Sequence, residues 1–131
     1  MSVLRIEALL DSLAHLKGYS TTPDGELYQI RNPLGLGSFS RPGKNDIDSS
    51  GRRVFKSDLT GRQACLFDLD LKVRGESRAG LKKDDLLENL LRVYGVTELG
   101  GQKSAVKFLK RALKDENISI TTPLTYFVEE N

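Results

Sequence analysis

Leu87, Leu90, Leu91 and Tyr94 stand at i, i+3, i+4 and i+7, and Gly95 follows at once. That spacing places all four side chains on one stripe of an α-helix, and such a stripe must be buried against another element. The start of the chain repeats the pattern. Val3, Ile6, Leu9, Leu10, Leu13 and Leu16 predict a helix over about 2–17, stopped by Gly18. Ala105, Phe108, Leu109, Ala112 and Leu113 predict a third over 102–114, after a backbone break at Gly100-Gly101. Three amphipathic helices in 131 residues, 38% of them hydrophobic, give enough apolar surface for one mainly α domain over residues 1–131. The expected common core is Leu9, Leu13, Phe67, Leu87, Leu90, Leu91, Phe108 and Leu109.

Between these helices the pattern is less uniform. Residues 19–56 read as a long irregular region after helix one. Thr22-Pro23-Asp24-Gly25 has turn chemistry, and Leu27-Tyr28-Gln29-Ile30 suits either a short strand or a helical turn. Over 59–73 two periods compete. Phe67, Leu69, Leu71 and Val73 alternate with Asp68, Asp70, Lys72 and Arg74, as in a strand. The longer apolar stretch back to Leu59, with Ser57 in front as an N-cap, fits a helix. Asp84 or Asp85 is expected to cap the helix of Leu87. Thr122-Pro123 is expected to cap a last turn reaching Phe127, with proline at its first position.

Several chemistries are excluded by what the chain lacks. One cysteine, Cys65, and one histidine, His15, cannot build a metal cluster, and a lone cysteine forms no intramolecular disulfide. No glycine-rich phosphate loop precedes a helix, so no nucleotide cofactor, and no cofactor of any kind, is expected. The start of the chain carries charges inside its apolar run, unlike a signal peptide. No run approaches a membrane span, so the expected location is the cytoplasm, with export by a separate machine left open.

The 20 Lys and Arg against 18 Asp and Glu leave a net charge of +2, too even to imply a polyanionic partner. Lys103, Lys107, Lys110 and Lys114 do share one helical face, flanked by Arg111. Their regular spacing opposite the apolar residues predicts a solvent-exposed face that binds nothing specifically; a nucleic-acid or protein adaptor is the alternative such a face can serve. No aromatic side chain interleaves with it, which argues against single-strand nucleic-acid binding. The carboxylates offer a further reading. Glu26 follows a turn and precedes Leu27-Tyr28, which could wall a general acid for glycosidic cleavage.

The order of motifs resembles the small phage-type lysozyme or lytic-transglycosylase-like domains of the lysozyme-like superfamily. Helix one ends Leu16-Lys17-Gly18-Tyr19. There follow Asn32-Pro33-Leu34-Gly35, then Phe55-Lys56-Ser57 with Gly61-Arg62-Gln63-Ala64, two further helices, and Thr122-Pro123-Leu124. The resemblance implies a helical lysozyme-like fold with residues 59–73 helical. It also implies a glycan cleft lined by Lys17, Tyr19, Tyr28, Asn32 and Phe39. The family's acid is a Glu before the glycine that ends helix one, and this chain has Lys17 there. An amine with a pKa of about 10.4 is a poor proton donor to a sugar oxygen. The expectation is a catalytically degenerate glycan-binding or structural module, with peptidoglycan chains or a phage tail-type assembly as partner. A working peptidoglycan glycosidase using Glu26 is the alternative.

Overall fold

The computed structural model describes residues 4–19, 25–36, 46–47, 51–77 and 79–128, and is mainly helical. Its helices are α1 (Arg5–Leu16), α2 (Glu26–Gln29), α3 (Asp58–Val73), α4 (Leu87–Val93) and α5 (Leu99–Leu113), closed by a 3₁₀ turn at Leu124–Phe127. Two-residue strands β1 (Asp46–Ile47) and β2 (Arg53–Val54) pair antiparallel, Asp46 opposite Val54.

The expected stripes do build the core. Leu9, Leu10 and Leu13 of α1 are buried with Leu87, Leu90 and Leu91 of α4 and with Ala105 and Leu109 of α5. Helices α1 and α5 pack directly on each other. Ser12 is buried in that seam and donates its hydroxyl to the Ala105 carbonyl at 3.2 Å, so its one polar group is satisfied. Leu124 and Phe127 close the floor. Their segment is tied to α4 by Leu87 N–H to Thr122 O at 2.8 Å and Leu124 N–H to Asp85 O at 2.8 Å.

Residues 58–73 are helical, and Ser57 caps them by accepting from Thr60 N–H at 3.1 Å. The buried face is Gly61, Cys65, Leu69, Lys72 and Val73. Phe67 belongs to the opposite side and is 67% exposed, so its expected place in the core is corrected: helical phase, once set by Cys65 and Leu69, turns it to solvent. Leu59, 65% exposed, shares that outer side. Phe108 is only half-buried, its ring 5.5 Å from His15.

Three boundaries also differ from expectation. Neither Asp84 nor Asp85 caps α4. Asp85 accepts from Lys82 N–H at 2.9 Å, while the Asn89 side chain reaches back to Leu86 N–H at 2.9 Å. Gly100 and Gly101 do not interrupt the chain but lie in the first turn of α5. There a glycine costs less than in mid-helix, and a Cβ on Gly101 would come 3.1 Å from Val96 Cγ1. Pro123 stands one place before the last turn, not inside it.

Candidate functional site

The end of α1 sets one wall of a cleft. Gly18 has φ +81°, which lets its N–H bond to His15 O and the Tyr19 N–H bond back to Ala14 O at 3.0 Å. This doubly bonded helix stop fixes where Tyr19 emerges. Helix α2 ends in the same way, with Arg31 N–H to Tyr28 O and Asn32 N–H to Leu27 O, both at 3.0 Å. Here the residue in the left-handed region is Arg31, φ +53°.

Asn32 organises the loop behind this turn. Its side chain is fully buried and donates to Leu36 O at 3.1 Å and Arg53 O at 2.9 Å, and it accepts from Leu36 N–H at 2.9 Å. All its strong polar capacity is therefore spent inside the protein. Asn32 is a scaffold residue beneath the cleft, and the expectation that it faces a glycan is corrected.

Helix α3 presses against the same turn. A Cβ on Gly61 would fall 1.8 Å from Arg31 O, so only glycine permits this approach. Together these contacts bring Tyr19, Tyr28, Asp11, Asp58, Arg62 and Phe108 around a cleft of about 570 Å³. The rings of Tyr19 and Tyr28 lie 5.5 Å apart, and the Arg31 guanidinium sits 4.1 Å over Tyr28. The Tyr19 hydroxyl donates to Asp58, and burial followed by that bond pushes its pKa up, keeping it protonated. Arg31 Nη1 lies 3.8 Å from Asp58, and Arg62 Nη1 lies 2.6 Å from Asp11.

Each cleft carboxylate thus faces a cation. A general acid needs the reverse, a carboxyl desolvated among apolar groups. Glu26 does not supply one either. It borders a neighbouring hollow of about 390 Å³ with Lys17 and Arg52, its side chain is 82% exposed, and it accepts from Arg52 Nη2 at 2.9 Å. The structure therefore gives Glu26 a solvated ion pair where the sequence had allowed a dry pocket. Lys17 touches that hollow, and its Nζ lies 4.0 Å from where a Cβ on Gly95 would stand, beside the turn ending α4. Burial lowers its pKa. Phe39 falls outside the described residues.

Of the expected site residues, the structure brings Tyr19 and Tyr28 together, seats Lys17 and Glu26 in the adjoining hollow, and removes Asn32 to the scaffold. Asp11, Arg31, Asp58 and Arg62 were not foreseen. One signal was available: Gly61 inside a helical pattern, which usually marks a close packing contact. Cys65 is fully buried and its thiol is pushed up to about 12, chiefly by burial, so it is no nucleophile. Among the described residues no cluster of His, Cys, Asp and Glu could hold a metal ion, and no helix is long and apolar enough to cross a membrane. Comparison with protein-family models, curated proteins and solved structures finds no match to this chain.

Proposed function

We propose that this chain is a lysozyme-like domain that has lost the family's acid and binds glycan without cutting it. One observation carries the reading: the cleft pairs two tyrosine rings while every carboxylate lining it already faces a cation. Pyranose rings present apolar C–H faces that pack on aromatic rings, and their hydroxyls bond to charged rims. A volume near 570 Å³ is of the size that holds a small-molecule ligand or a segment of a chain. Arg31, stacked on one face of Tyr28, holds that ring in place. The family's acid position is Lys17, whose amine belongs to the α4 side, and Glu26 is solvated and paired. Binding without turnover is the chemistry this arrangement supports.

The test is co-sedimentation with purified, insoluble peptidoglycan. The wild type should pellet with it, and Tyr28→Ala should lose most of that binding with its thermal unfolding little changed. Retention of full binding by a folded Tyr28→Ala variant would reject the cleft as the binding surface.

A further inference from the structure

A second concavity lies away from the tyrosines. Lys103, Val106, Lys107 and Lys110 occupy i, i+3, i+4 and i+7 on one face of α5, and Ile118 and Ile120 form the facing edge of a groove of about 360 Å³. Its floor is apolar and its α5 wall is basic. The three lysines, like several other described cations of the molecule, stand outside its ion pairs. Arg52, Arg62, Lys72 and Arg74 each meet a carboxylate. Lys103, Lys107 and Lys110 meet none among the described residues.

We propose that this groove docks an acidic amphipathic segment of a partner protein. An apolar side chain of that segment packs over Val106 and Ile120, and carboxylates on either side meet Lys103, Lys107 and Lys110. The argument is complementarity of both kinds. An ionic strand alone would use the lysines and waste the apolar floor. An apolar ligand alone would leave three cations without a counter-charge beside it. A nucleic acid would bring phosphates but finds no aromatic ring on this face for its bases, because Phe108 faces the His15 side. A volume of about 360 Å³ accommodates one or two side chains, as an anchor-in-groove contact requires. This inference stands apart from the glycan cleft and does not depend on it.

The experiment is fluorescence-anisotropy titration of the full chain with a short labelled peptide carrying leucine and glutamate at helical spacing. Two control peptides replace every Glu by Gln or every Leu by Ser. Saturable binding is expected for the parent peptide alone, falling roughly tenfold or more in Lys107→Glu and in Lys103→Glu. Both substitutions are at exposed positions, and unchanged thermal unfolding confirms that the variants fold. Equal binding of the Leu-to-Ser peptide would reduce the groove to a charge patch and overturn the proposal. So would absence of binding, indifference to both lysine variants, or preference for an oligonucleotide or an anionic vesicle over the peptide.

Discussion

Helices α1, α3 and α4 run out into Gly18, Gly75 and Gly95, all at positive φ, whereas α2 makes the same turn with Arg31 at φ +53°. The hydrogen bonds are alike. Gly75 N–H reaches Lys72 O as Gly95 N–H reaches Arg92 O, and Arg31 N–H reaches Tyr28 O in the same relation. A side chain at such a position costs about 1–2 kcal/mol that glycine avoids. At α2 that cost is partly offset by what the guanidinium does, lying over Tyr28 and beside Asp58. Lys114, also at φ +53°, ends α5 on the exposed basic face. At α2 the residue held at positive φ is one whose side chain also serves the cleft, while Gly18 turns the end of α1 beside the same cleft without strain.

The same contrast separates the helical core from the cleft floor, and substitutions probe it. Leu90, fully buried among α1, α4 and the closing turn, should show the largest effect. Leu90→Ala is expected to cost roughly 2–5 kcal/mol on denaturant titration while leaving the cleft intact. Gly61→Ala should cost about 3 kcal/mol, because its Cβ would collide with a backbone carbonyl that no rotamer change can move. Unlike Leu90→Ala, it should weaken glycan binding too, by displacing Arg31. Asn32→Ala strands Leu36 N–H and the Leu36 and Arg53 carbonyls, with an expected loss of about 2 kcal/mol. Arg31→Gly should alter stability least, by under about 1 kcal/mol, since relief of strain opposes the lost stacking. Its glycan affinity should nonetheless drop several-fold. If Arg31→Gly bound glycan as the wild type does, the strained turn would have no role in the cleft.

What the sequence revealed and what it hid follows the same division. Helices α1, α4 and α5 were legible because apolar periodicity and terminal glycines are local signals, and burial of Leu9, Leu13, Leu90 and Leu109 follows from them. The phase of α3 was not. Phe67, Leu69 and Leu71 look equivalent until Cys65 and Leu69 are known to face the core. In the cleft, Tyr19 and Tyr28 were legible as aromatic residues flanking a turn. The pairs Arg62–Asp11 and Arg31–Asp58 join residues far apart in the chain, and no local pattern announces them. Asn32 was recognised as important but given the wrong duty, because an amide suited to a ligand suits a loop equally well.

The central claim, a cleft that holds glycan and leaves it whole, is tested most directly by one incubation read in two ways. Purified peptidoglycan is mixed with the wild-type protein, and both the pelleted protein and the soluble saccharide fragments released over time are measured. The account predicts protein in the pellet and fragment release no greater than in its absence. Sustained release of fragments by the wild type, abolished in Glu26→Gln, would contradict it and make the Glu26–Arg52 hollow an active site.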